Sequence, residues 1–212
     1  MMSIVKKRTI ENAQNNDTKQ IHRALPELID AMESCDVNVR RLAARELAFY
    51  PEAAQTLVSC LKRECDSSVR EVILTSLTRC DSPEFVEELA DCLRSEDASL
   101  RNEVIEAMKA ITVEVVPVME QLLVDPDPDV RILAVNILES LRHPKVEQWL
   151  INIIERDSHV NVCAAAVDLL CELATEKSRP ALEVFITRFS DEPYIRFAAE
   201  LALYRIKANR IT

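Results

Sequence analysis

The chain has 212 residues, 48% hydrophobic and 29% charged, which suits one sizeable domain with a buried core and not a disordered chain. Its 26 lysines and arginines against 36 aspartates and glutamates leave a formal charge of −10, which disfavours a phosphate backbone as partner. Glycine is absent where about fifteen would be usual, so a P-loop, a GxGxxG dinucleotide fingerprint and a GxSxG nucleophile elbow are all excluded.

The first 25 residues run against the overall charge. Lys6, Lys7, Arg8, Lys19 and Arg23 outnumber Glu11 and Asp17, a net of +3 that leaves −13 for the rest. Residues 1–17 show little apolar periodicity and are expected to form a flexible leader or partial cap, ahead of a single repeat domain over 18–212. The opening "MMSIVKKRTI" lacks the apolar stretch of a signal peptide, and no apolar run approaches the ~20 residues of a membrane-spanning helix.

From there the chain repeats itself. "DVNVRRLAARELA" begins at Asp36, "DSSVREVILTSL" at Asp66, "DASLRNEVIEAM" at Asp97 and "DPDVRILAVNIL" at Asp127. The shared pattern is Asp-x-x-[Val/Leu]-Arg, with apolar residues four, five and eight positions after the Val or Leu. The anchors Val39, Val69, Leu100 and Val130 lie 30, 31 and 30 residues apart. In the fifth copy, "HVNVCAAAVDLL" aligns on Val162, with His159 in the aspartate slot and Cys163 in the arginine slot; anchoring on Val160 would push Asp168 into the core. In the sixth, "EPYIRFAAELAL" offers Glu192 and Arg196, and the last two anchor spacings are 32 and 33.

Between the copies lies a second helical pattern. Ala54, Leu57, Val58 and Leu61 form one apolar stripe, as do Phe85, Val86, Leu89 and Leu93, and Val146, Trp149, Leu150 and Ile153. No segment sustains period-two alternation, so no strand is expected. Each unit therefore reads as two antiparallel helices, A then B. The hairpins are expected over 18–49, 51–80, 82–111, 113–142, 144–174 and 178–208, with "TEKSRP" (175–180) lengthening one turn. One hairpin cannot cover its own apolar stripe, so neighbours must stack.

The aspartate before each anchor suits the N-cap of a B helix, and the arginine after it can reach a neighbouring repeat or a helix-end carbonyl. This predicts a structural ladder of Asp36, Arg40, Asp66, Arg70, Asp97, Arg101, Asp127 and Arg131, broken at Cys163 and resumed at Arg196. The run "DPDPD" at 125–129 then reads as a corner and not as a cation loop: Pro126 stops helix A, Asp127 caps helix B, Pro128 is its first residue and Asp129 adds charge to its first turn. A calcium loop needs more oxygen ligands at alternating positions.

Asp36, Val39, Arg40, Ala43, Ala44 and Leu47, echoed by Asp127, Val130, Arg131, Ala134 and Leu138, resemble the HEAT family, specifically the short HEAT-like repeats of bacterial and phycobilisome-lyase-type proteins. The resemblance covers roughly residues 20–208. It implies an all-α, right-handed alpha-alpha superhelix of about six hairpins whose B helices line a concave face. HEAT-like iron hydroxylases use repeated His-Glu dipeptides, yet His22, His143 and His159 are followed by Arg, Pro and Val. A DNA-glycosylase role would need a basic groove and aromatic residues, and this chain is acidic and 4% aromatic.

The seven cysteines include no CxxC, and Cys60 and Cys65 lack the paired spacing of a zinc site. Cys163 lies four residues from His159 and could be read as a nucleophile, but its alanine-rich helix predicts a buried thiol. No metal, no cofactor and no catalytic residue is expected. Reduced, packed thiols point to the cytoplasm.

Binding remains. Positions two and six after the anchors should point outward from the B helices, which nominates Arg41, Arg45, Glu71, Thr75, Asn102, Glu106, Asn136 and Asp168, with Ile132, Ala164, Phe197 and Leu201 completing the two columns. The first repeat's residues are basic and the middle ones acidic or neutral, which suits a charged helix or tail of another protein, or else is an ordinary solvated face. The expected function is a non-enzymatic, cytoplasmic adaptor or regulatory scaffold whose partner is another protein, with no nucleic acid and no membrane. The alternative is a lyase-like or chaperone subunit holding a tetrapyrrole cofactor or a client. Ile151 and Ile154 sit on the outer side of their A helix beside Trp149, where they make either a convex apolar patch or tighter packing.

Overall fold

The capping aspartates start the helices. In a computed structural model, which describes residues 23–79, 84–111 and 115–209, the Asp36 carboxylate accepts from the Asn38 amide, Asp66 from Ser68 and Val69, Asp97 from Ser99 and Leu100, and Asp127 from Asp129. Each bond satisfies a donor that the first helical turn leaves free, a contribution of about 1 kcal/mol. His159 holds the same slot without a side-chain bond. The expected leader, residues 1–17, and Cys80 lie outside the described residues.

Twelve α-helices pair as six hairpins among the described residues, and no strand is present there. They are α1 (Leu25–Ala31) with α2 (Val37–Leu47), α3 (Ala54–Leu61) with α4 (Ser67–Leu77), α5 (Glu84–Asp91) with α6 (Ala98–Ala110), α7 (Val116–Leu122) with α8 (Pro128–Leu138), α9 (Val146–Arg156) with α10 (Val160–Leu173), and α11 (Arg179–Arg188) with α12 (Pro193–Asn209). The even-numbered B helices form an unbroken stack, α2 on α4, α4 on α6, α6 on α8, α8 on α10 and α10 on α12. The odd-numbered A helices pack beside them, α3 on α5, α5 on α7 and α9 on α11.

No helix end with described backbone angles needs glycine. Every one has a negative φ, so the corners turn without the left-handed C-cap that glycine usually supplies. Of the expected turn 175–180, Arg179 and Pro180 already belong to α11, and the remainder is clamped by Glu147 in the first turn of α9. Its carboxylate accepts from the Thr175 amide at 2.6 Å, the Thr175 hydroxyl at 2.8 Å and the buried Ser178 hydroxyl at 2.7 Å.

The core runs the length of the stack. The three A-helix stripes are buried, and so are the anchors Val69, Leu100, Val130, Val162 and Ile195, while Val39 is half-buried. Five positions after the anchors, Ala44, Leu74, Ile105, Val135 and Val167 are all buried. The sixth member of that column is Glu200, which is exposed and pairs with Arg196 at 3.6 Å. The outer flank of α12 is thus charged where the corresponding positions of the preceding B helices are apolar. Ile151 and Ile154 are only 6% and 1% exposed, so the repeat containing Trp149 is tightly packed and the convex apolar patch does not form.

Candidate functional site

Two sets of side chains sit on the B helices, and the structure separates them. The first is consumed at the junctions between repeats. Arg40 binds Glu64 of the second repeat, Nε to Oε2 at 2.7 Å and Nη2 to Oε1 at 3.0 Å, and donates Nη1 to the Ser34 carbonyl at 2.8 Å. Arg70 is 5% exposed and reaches Asp97 of the third repeat at 2.6 Å. Arg131 takes Asp157 of the fifth repeat in a two-pronged pair and donates to the Asp125 carbonyl at 2.6 Å.

Of the other ladder members, one takes a helix-end carbonyl and one departs from the expected contact between repeats. Arg101 donates to the Ser95 carbonyl of its own corner and forms no ion pair among the described residues. Arg196 pairs with Glu200 inside α12, at 3.6 Å. The break at Cys163 is filled from elsewhere. The Cys163 thiol donates to the Asp157 carbonyl at 3.4 Å, and Arg188 of α11 also donates to that oxygen and to the Ile154 carbonyl at 3.1 Å. A guanidinium from the sixth repeat thus covers the end of α9.

The junctions also contain a residue type that the repeat pattern does not mark, two positions before the helix cap. There Ser34, Glu64, Ser95, Asp125 and Asp157 each accept from the amide of the capping residue. Where that residue is acidic it also takes a guanidinium: Arg40 on Glu64, Arg94 on Asp125, Arg131 on Asp157. Burial alone would raise the carboxyls of Glu64 and Asp157, but the guanidinium and amide bonds outweigh it and hold both below their ordinary values. The Arg70 bond holds Asp97 down in the same way.

The second set stays on the surface. Arg45, Glu71, Thr75, Asn102, Glu106, Asn136 and Asp168 are all exposed on the B-helix face, and Arg41 is half-buried with its Nε unpaired. Glu71, Thr75, Asn102 and Glu106 meet across a cleft of about 490 Å³ between α4 and α6, floored by Leu74 and Ala107. Asn136 and Asp168 share a second cleft, of about 300 Å³, between α8 and α10. Arg41 and Arg45 belong to α2 and line neither.

Sequence reasoning recorded this face as a charge gradient and missed its aromatic end. On α12, Tyr194, Phe197 and Tyr204 are 63%, 63% and 70% exposed, with half-buried Leu201 between them. Their spacing of three, four and three puts them on one side of the helix. That spacing was the available signal. The Tyr194 hydroxyl donates to Asp168 at 3.0 Å, which ties the stripe to the acidic part of the face.

Elsewhere, a cleft of about 560 Å³ lies between the ends of α7 and α9, lined among others by Leu123, Val124, Trp149, Ile153 and Arg156. Cys163 is fully buried, and burial pushes its thiol up to about 11, which removes the thiolate that nucleophilic chemistry needs. Among the described residues no three of His, Cys, Asp and Glu are grouped to hold a metal ion. No described helix is long and apolar enough to cross a membrane.

The family described as HEAT repeats matches residues 25–109 and 54–127. No curated protein sequence matches. Among solved structures, one engineered protein aligns at 20% identity over 87% of this chain and 96% of its own, with a TM-score of 0.44. Kap121p aligns at 21% identity over 84% of this chain and 22% of its own, with a TM-score of 0.45. A designed armadillo repeat protein aligns at 16% identity over 86% of this chain and 100% of its own, with a TM-score of 0.38.

Proposed function

Because residues 25–127 belong to the HEAT-repeat family, we propose that the chain is a non-enzymatic adaptor or regulatory scaffold that binds another protein along its B-helix face. One observation carries the reading: side chains from α2 to α12 stand in two columns on this face, most are exposed, and apart from Asp168, which accepts from Tyr194, none is used in the capping or inter-repeat bonds. The packing that fixes these helices is provided elsewhere, by the apolar columns and the junction pairs. The face is therefore free to vary with its partner, and a partner docks on side chains whose backbone is already ordered, which lowers the entropy cost of binding. Its packed, unpaired thiols Cys60, Cys92 and Cys163 support a reducing compartment, and we place the protein in the cytoplasm.

Affinity capture from the producing cells with wild-type and face-altered proteins tests this. Asn136→Arg combined with Thr75→Arg should abolish the partner protein recovered by the wild type while the melting temperature stays within a few degrees. Equal recovery by both proteins would refute the B-helix face as the binding surface.

A further inference from the structure

The B-helix face is not merely polar; its acids and its apolar groups are segregated. Glu71, Glu103 and Glu106 line the cleft between α4 and α6, and Glu139, Asp168 and Glu172 line that between α8 and α10, with no lysine or arginine lining either. Lys109 sits between the two clefts and is held by Glu106 and Glu139, each at 3.2 Å. Arg70 also takes Glu103, Nε to Oε2 at 3.0 Å, and two cations cannot neutralise six carboxylates. Past α10, α12 presents the stripe of Tyr194, Phe197, Leu201 and Tyr204, with the Arg205 guanidinium turned onto the Cys171 carbonyl at 2.7 Å. Three large aromatics more than half exposed on one helix face are unusual for a surface with no ligand, and tyrosine is among the residues that most often anchor an interface.

We propose that this face takes a cationic amphipathic segment of another protein, with its lysines and arginines over the carboxylates of α4 to α10 and its apolar side chains on the α12 stripe. The inference rests on the B-helix face being the binding surface and adds the chemistry of what it binds. Charge complementarity selects the sign of the partner, and the aromatic end selects its amphipathic character. The spacing fits as well. Packed helices lie about 8–10 Å apart, so carboxylates recur along the face at about that interval. Residues seven apart on a partner helix are separated by about 10.5 Å, so one cation per heptad meets successive B helices. Arg41 and Arg45 on α2 repel such a segment, which confines it to the face from α4 onward.

The test uses the full-length protein and a fluorescein-labelled peptide of three leucine–lysine heptads, read by fluorescence anisotropy. Two control peptides replace every lysine by glutamate, or every leucine by serine. The leucine–lysine peptide should bind, and binding should weaken about tenfold or more with Phe197→Ser plus Tyr204→Ser, and equally with Asp168→Asn plus Glu172→Gln. It should also weaken as salt rises from ~0.05 to ~0.3 M. Circular dichroism melts establish that each variant is folded.

If the leucine–glutamate peptide binds as tightly and responds to Phe197→Ser, the cationic chemistry is wrong while the B-helix face survives as the binding surface. Equally tight binding of the serine–lysine peptide would remove the aromatic anchor from the proposal. Leucine–lysine binding that ignores every face substitution overturns the inference, whereas the face itself is judged by the capture experiment. Should the peptide bind only after Lys6, Lys7 and Arg8 are all changed to glutamate, the occupant is the chain's own cationic segment and the proposed partner falls.

Discussion

Arg131 grips Asp157 with two parallel hydrogen bonds, Nε to Oδ2 at 2.7 Å and Nη2 to Oδ1 at 3.1 Å, across the boundary between the fourth and fifth repeats. Both side chains are largely buried, at 14% and 9% exposure. Asp157 also accepts from the His159 amide, and Arg131 also donates to the Asp125 carbonyl. One pair therefore fixes two corners at once. Removing either partner leaves a desolvated charge behind, which costs more than the pair itself contributes.

Arg131→Ala should accordingly destabilise the protein by about 2–4 kcal/mol in urea unfolding, whereas Arg45→Ala, on the exposed face, should stay within about 0.5 kcal/mol. Equal effects would mean that the junction arginines are not what joins the repeats.

The same pair predicts a pH dependence. Burial raises the Asp157 carboxyl, but the Arg131 and His159 bonds outweigh it, so its folded value lies below the ordinary value near 4. A depressed folded value stabilises above the unfolded value and the contribution is lost as pH falls through the folded one. Asp157→Asn should melt lower than wild type at pH ~7, and the gap should close as pH falls below ~4. Melting curves at constant ionic strength check this; a gap that is constant or widens in acid contradicts it.

Thiol reactivity should sort by burial. Cys35 and Cys65 are exposed, and Cys163 is fully buried with its thiol raised. Brief alkylation of the native protein followed by peptide mass mapping should modify Cys35 and Cys65 and leave Cys163 untouched until denaturant is added. Rapid labelling of native Cys163 would reopen a chemical role for it.

Glu200 predicts what happens at the outer flank of α12. It occupies the column that is buried in the five preceding repeats, and with Arg196 it keeps that flank charged. Arg196→Leu with Glu200→Leu should create an apolar flank like that between stacked B helices. Sedimentation velocity should then show concentration-dependent association beyond that of wild type, and an unchanged distribution would deny Glu200 a capping role.

The repeat pattern was legible because stacking imposes it on every unit: Asp36 and Asp127 cap the same slot, and Val69 and Val130 fill the same core position. Junction partners were less so. Arg40 finds Glu64 and Arg131 finds Asp157 through distances of 24 and 26 residues, and these acids vary in identity with Ser34, Ser95 and Asp125. Arg188 covering the Asp157 carbonyl could not be read at all, since it comes from the A helix of the next repeat and replaces a residue missing at Cys163. On the face, outward positions follow from helix period, so Asn136 and Asp168 were nominated from sequence alone. Phe197 and Leu201 were in the same columns, but a reading based on charge gave them no weight.

Site-specific photo-crosslinking in the producing cells tests the central claim most directly. A photoreactive residue in place of Asn136 or Leu201, on the B helices, is compared with one in place of Gln148 or Glu155, on the exposed side of the A helix α9. One discrete protein adduct is expected from positions 136 and 201 and none from 148 and 155. Adducts confined to positions 148 and 155 would contradict it.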